Sequence, residues 1–215
     1  MGIIINYIAR IDVIVDERIT ILKDYIDIYR NGAVWDLSQA ALKYLNNISV
    51  KSSIIILCIG TDRSTGDSLG PLVGYRLGRY HTLGARVVGN LEQPIHAGNL
   101  QETLTRLNNE IPDNFIVAVD ACLGTFGHVG RIIIGEGPLR PGSGLKKDLP
   151  ETGNMHITGI VNHCGWMDFM ILQNTRLGLV MKMAEIIADG LQYALWKYYR
   201  FGNNSGNNSL NQYIQ

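Results

Sequence analysis

Cysteine is scarce in this 215-residue chain: Cys58, Cys122 and Cys164 are the three, an odd number without the paired spacing of a structural metal site. That argues against a disulfide framework and points to a reducing compartment, so a cytoplasmic protein is expected. Charge is also sparse, at 18% of residues, and it is balanced, with 19 Lys plus Arg against 19 Asp plus Glu. Such a balance supplies no field to attract nucleic acid or an anionic membrane surface, and neither is expected as a partner. Long apolar runs are missing too. Ile3, Ile4 and Ile5 open an apolar stretch, but Arg10 and Asp12 interrupt it well short of the about 18 residues that a membrane-spanning helix needs. No small-residue cleavage pattern follows, and Asn6 stands where an N-myristoylation signal wants Ser or Thr. Two nucleotide signatures are absent as well. There is no G-x-G-x-x-G, and Gly66-Asp67-Ser68 puts an acid where a P-loop needs lysine, in a loop one residue too long.

What the chain does have is apolar residues, 46% of the total, enough for a sizeable core. From Ser53 onward, apolar runs alternate with amphipathic segments. Strands are expected at Ile54–Ile59, Arg86–Leu91 and Phe115–Asp120, with helices between them at Ser68–His81 and Gly98–Asn109. This β-α-β-α-β order implies a largely parallel sheet with right-handed crossovers and helices on both faces. Val129–Gly135 reads as a further, antiparallel strand and Met155–Val161 as the last. A long helix over Thr175–Phe201 carries a broad apolar stripe that should pack on the sheet.

Three regions read differently. Residues 1–50 are expected as an N-terminal helical extension, with one helix through Ile19, Leu22, Tyr25, Ile26 and Tyr29 and another from Asp36 to about Leu45. Residues 51–201 form the main α/β domain. Residues 202–215, rich in Asn, Ser and Gly, read as a disordered tail. Within the main domain, Glu136–Gly144 holds too much Gly and Pro for regular structure, and a flap over a site is expected there.

Two acids carry the best clue to chemistry. Asp67 lies in the Gly-rich turn Gly60–Pro71 after the first strand, and Asp120 closes the run Ile116-Val117-Ala118-Val119. In open α/β sheets ligands bind beyond the carboxyl ends of the strands, so both acids are expected at one edge. Asp67 can equally serve as a helix N-cap, the commonest use of an acid in that position. Asp120 is harder to explain structurally, because a carboxyl at the end of a buried strand pays desolvation unless a donor or cation compensates.

Those same segments resemble a known group. Gly66-Asp67-Ser68-Leu69-Gly70-Pro71 resembles the first signature of the spore germination proteases, Val117-Ala118-Val119-Asp120-Ala121 their second, and Pro141-Gly142-Ser143-Gly144 a Gly-rich segment of that family. The resemblance, from about Ser53 to Asn162, is closer to the shorter YyaC-type sporulation proteins and more distant to the HybD-type hydrogenase maturation endopeptidases. It implies a three-layer α/β/α sandwich around a mostly parallel, mixed sheet, and a peptidase in a sporulating bacterium acting on a protein or peptide. By similarity to the germination proteases, Asp67 and Asp120 would be a catalytic carboxylate pair, one protonated and one activating water. By similarity to the maturation endopeptidases, Asp67, Asp120 and His156 would instead hold a divalent ion such as Ni or Zn, with Asp67 one methylene shorter than the Glu expected there. The alternative is a catalytically inactive relative that keeps the pocket to bind a peptide or partner protein.

The other polar residues are weaker candidates. Asp62 and Arg63 are expected to pair at the surface, and His96 to start a helix. His163 and Cys164 are neighbours on an extended segment whose side chains point apart, against a Cys-His nucleophile. Cys122 reads as a small buried side chain, and His81 and His128 belong to no constellation.

Overall fold

Ile54 to Ile59 are all buried, the burial expected of a strand with helices on both sides. In the computed structural model, which describes residues 23–48, 52–80, 82, 84–141 and 149–202, this run forms the strand β2 (Ser53–Cys58). It lies inside a six-stranded sheet with β1 (Lys23–Asp27), β3 (Arg86–Val88), β4 (Asn114–Gly124), β5 (Arg131–Glu136) and β6 (Met155–His163), in the order β1-β5-β6-β4-β2-β3. The strands β6, β4, β2 and β3 run parallel, whereas β5 is antiparallel to β6 and β1 antiparallel to β5.

Helices cover both faces. On one, α1 (Ala33–Leu45), α2 (Leu69–Leu77) and α5 (Leu177–Lys197) press Leu37, Leu45, Val73, Ile187 and Leu191 onto Ile54, Ile56, Val117 and Val119. On the other, α3 (Leu100–Glu110) sets Leu100 and Leu107 against Ile55, Leu57, Ile116 and Ala118. The result is the three-layer α/β/α sandwich around a mixed, mostly parallel sheet. A short helix, α4 (Asp168–Gln173), follows β6 and buries none of its residues. Among the described residues no helix is long and apolar enough to cross a membrane.

The amino-terminal segment departs from expectation. Where an amphipathic helix was expected through Tyr25 and Tyr29, the chain forms β1, paired along its length with β5. Burial there alternates, with Ile26 and Ile28 inside and Tyr25, Asp27 and Tyr29 outside, so the period of two prevails once a strand edge is offered. The helix α1 packs on α5. It starts three residues before Asp36, following Gly32 in a left-handed conformation with φ of 94°. Residues 1–22, the Gly142–Gly144 part of the expected flap and the 203–215 part of the expected tail lie outside the described residues.

The strand order decides where a site can form. From β2 the chain leads through α2 to β3 at one edge, whereas from β4 it leads to β5 and β6 on the other side. The order therefore reverses between β2 and β4. At such a point the connections diverge and leave a crevice beyond the carboxyl ends.

Candidate active site

The loop after β2 folds back sharply on itself. Gly60 has φ of 141°, and a Cβ on it would collide with the Asp67 carbonyl oxygen, which accepts a hydrogen bond from the Thr61 amide at 3.1 Å. Gly70, at the start of α2, leaves no room for a Cβ against the Ile59 carbonyl. The glycines of this motif thus serve close backbone approach, bringing α2 down onto the strand end. The loop closes as a single 3-10 turn, Gly66–Ser68, with Asp67 at its centre. Asp67 does not act as a cap, since no side-chain capping bond is made at the start of this turn or of α2.

Asp120 comes from β4, which runs four residues beyond it to Gly124. The last β2 residue paired with β4 is Cys58, opposite Val119. Beyond that pair the Ile59 amide still donates to the Val119 carbonyl at 2.8 Å, and the chain then leaves the sheet as the loop that carries Asp67. On its other side Asp120 pairs with Thr158 of β6, and the turn holding Asp67 packs against β4.

The electrostatics follow from this placement. Desolvation, opposed by the Ala121 amide that donates to Asp120 Oδ1 at 2.8 Å and joined by a smaller contribution from the charge of Asp67, pushes the Asp120 carboxyl up to about 8. Asp120 nevertheless keeps some solvent contact. Asp67 is likewise raised by desolvation, opposed by the neighbouring Ser64 hydroxyl. Both carboxyls therefore resist ionisation, chiefly because they are buried.

His156 does not join them. It pairs with Ala118, one pleat behind Asp120, and its Nδ1 lies 3.0 Å from the Gly137 carbonyl oxygen, anchoring the segment after β5. Among the described residues no three His, Cys, Asp or Glu side chains gather as a metal site would require. The donor set expected for Ni or Zn from Asp67, Asp120 and His156 is therefore not assembled, because two carboxylates alone leave a transition-metal site short of ligands.

The remaining candidates fall away from the pair. Asp62 and Arg63 are exposed, and no ion pair joins them among the described residues. His96 caps the turn into α3, its Nδ1 accepting from the Gly98 amide at 3.1 Å. His163 is exposed and meets Phe126 edge-on. Cys58 is buried beneath α2, with its thiol pushed far up by desolvation. A cavity of about 700 Å3 between α1 and α5, lined by Trp35, Tyr193 and Trp196 among others, includes neither acid.

Two features of the site were not legible in the sequence. One is Ser64, a loop serine that turns out to be 4% exposed. The other is α4, whose Leu172 lies against Gly66 and whose flank presents Trp166, Met167, Phe169 and Met170 to solvent. At six residues it is too short for periodicity to reveal.

The family described as "Protein of unknown function (DUF1256)" matches residues 25–190, from within β1 to late in α5. The chain is also 52% identical over 138 residues to "Uncharacterized protein YyaC" of Bacillus subtilis (strain 168), a match covering 64% of this chain and 67% of that protein.

Proposed function

The chain belongs to the DUF1256 family and is of the YyaC type, and from that premise we propose that it is a sporulation-associated peptidase in which Asp67 and Asp120 hydrolyse a peptide bond. One observation carries the reading: a buried carboxyl raised to about 8 comes from the strand against which the turn of a second carboxyl packs, at the point where the strand order reverses. Desolvated acids brought close to one another are what acid–base hydrolysis requires and what a structural turn avoids. The resemblance of both segments to the germination protease signatures supplies the reaction class.

The chemistry then divides between the two groups. Asp67, ionised, takes a proton from a water molecule as that water attacks the scissile carbonyl carbon. Asp120, holding its proton, donates to the amide nitrogen as the C–N bond breaks. The proton gained by Asp67 returns the pair to its singly protonated state after products leave. No step requires a metal ion, and His156 acts as scaffold. The test is cleavage of unfolded protein substrates and peptide mixtures, read by mass spectrometry, with wild type against Asp67→Asn and Asp120→Asn. Equal cleavage by all three would remove the pair from the chemistry.

A second reading has its own support in the apolar side chains that α4 exposes beside the turn of Asp67. Exposed clusters of this kind mark contact surfaces, and a non-catalytic pocket gripping a peptide or partner protein would use them without turnover. It predicts substrate binding by wild type and by both Asn variants, and cleavage by none.

A further inference from the structure

The strand β4 outruns its neighbour. Its pairing with β2 ends at Cys58, opposite Val119, and once the Ile59 amide has donated to the Val119 carbonyl the next amide, Gly60, turns away to the Ile95 carbonyl at 2.7 Å. On the other side β4 stays paired with β6 as far as Gly124, opposite His163. From Asp120 to Gly124 the strand therefore has a partner on one side only, and Asp120, Ala121, Cys122 and Gly124 are partly exposed. Successive residues of a paired strand direct their backbone groups to opposite sides. Val119 faces β2, and Gly124 faces β6, where its carbonyl accepts from the Cys164 amide at 2.8 Å. Ala121 and Leu123 accordingly face the side that β2 has vacated. The Ala121 amide is taken by Asp120 Oδ1. Among the described residues nothing donates to the carbonyls of Ala121 and Leu123 or accepts from the Leu123 amide.

A row of unpaired backbone groups is a ready template for another chain. Here the Asp120 carboxyl is drawn to that same edge, because its Oδ1 lies 2.8 Å from the Ala121 amide. We propose that the Ala121–Gly124 edge of β4 takes an extended segment of substrate polypeptide as an added strand in the line of β2, laying its main chain past the Asp120 carboxyl. What then happens to the bound chain rests on the peptidase reading above, whereas its capture does not. The occupant follows from the edge: a carbonyl at Ala121 followed by an amide and a carbonyl at Leu123 is matched in register by an extended main chain, while a helix has already spent those groups on itself. Four residues of edge span about 13 Å, room for about four residues of such a chain. Apolar side chains stand at the far end of the edge. Phe126, two residues past Gly124, and Trp166, two residues past Cys164, are both largely exposed, and Phe126 meets His163 of β6. They favour segments that carry apolar residues.

The experiment is amide hydrogen exchange read by NMR in the full chain, with reduced, carboxymethylated lactalbumin as an unfolded probe and Asp67→Asn beside wild type so that cleavage does not consume it. In the free protein the Leu123 amide should exchange fast, while that of Gly124, which faces β6, is protected. With the probe at about nine times its Kd, exchange at Leu123 should slow about tenfold. The probe segment that binds is then synthesised with N-methyl groups on alternate residues, in each of the two registers. One register should weaken binding about tenfold and the other leave it unchanged, because a strand addresses its partner through every second residue. Absence of binding, a Leu123 amide that exchanges at its free rate with probe bound, or two registers that weaken binding equally would each overturn the proposal, even if wild type cleaves. Slowed exchange at Leu123 with no cleavage by wild type at any pH would count against the peptidase reading and leave the edge as a peptide-binding site.

Discussion

Replacing Asp120 by Asn should stabilise the protein at neutral pH and do nothing of the kind in acid. An unfolded Asp titrates near 3.9, whereas the folded carboxyl is pushed up to about 8 by desolvation and then by the charge of Asp67. Because the folded value is the higher one, the favourable contribution of protonated Asp120 is fully present below about pH 4 and is lost as pH rises towards 8. Each unit is worth about 1.4 kcal/mol, so the span corresponds to about 6 kcal/mol at most. Relaxation of the surroundings around the charged form offsets part of this, and a loss of about 2–4 kcal/mol is expected. Asn carries no charge at any pH, yet its Oδ1 can still accept from the Ala121 amide, the bond that Asp120 makes at 2.8 Å. The assay is urea unfolding of wild type and variant at half-unit steps from pH 4 to 8.5. Wild type should lose stability across the range relative to the variant, so that the difference between them grows towards pH 8. Curves that run parallel throughout would mean that Asp120 is freely hydrated, and the electrostatic basis of the site would go with it.

Further tests follow from other parts of the structure. Cleavage should show a bell-shaped pH profile whose alkaline limb falls near 8, where Asp120 loses its proton, and Asp120→Asn should abolish turnover while raising stability. Gly60→Ala forces a Cβ into the Asp67 carbonyl at φ of 141°; it should cost about 2–4 kcal/mol in urea unfolding and displace Asp67. Added Ni or Zn should leave the melting temperature of wild type and His156→Gln equal, whereas a metal-dependent rise lost in His156→Gln would restore the three-ligand centre. Leu107→Ala, on the sheet-facing side of α3 and fully buried, should cost about 2–5 kcal/mol.

Residue pattern carried far where it was local and strong. The Ile54–Ile59 and Phe115–Asp120 runs are strands because an apolar run rich in Ile and Val can satisfy its packing only between two covered faces, and the amphipathic stripe of α5 was readable over most of its length. It failed where a nonlocal partner decided the outcome. Residues 23–27 are a strand because β5 offers an edge, and nothing in their own order says that such an edge exists. His156 shows the same limit at the level of chemistry. It lies on the expected strand, but strand register sets it one pleat behind Asp120, and Gly137 receives its ring.

By itself, then, the order of residues determined the layered α/β scheme and placed two acids at the carboxyl edge, since strand period, helix period and glycine turns are properties of short stretches. Only the tertiary structure decided which groups meet. The pairing of β4 with β2 stops one residue before Asp120, the loop closes through Gly60 onto Asp67, and Ser64 within that loop is buried. These distances depend on register and loop closure, which contacts remote in the chain settle together, and no local pattern encodes them.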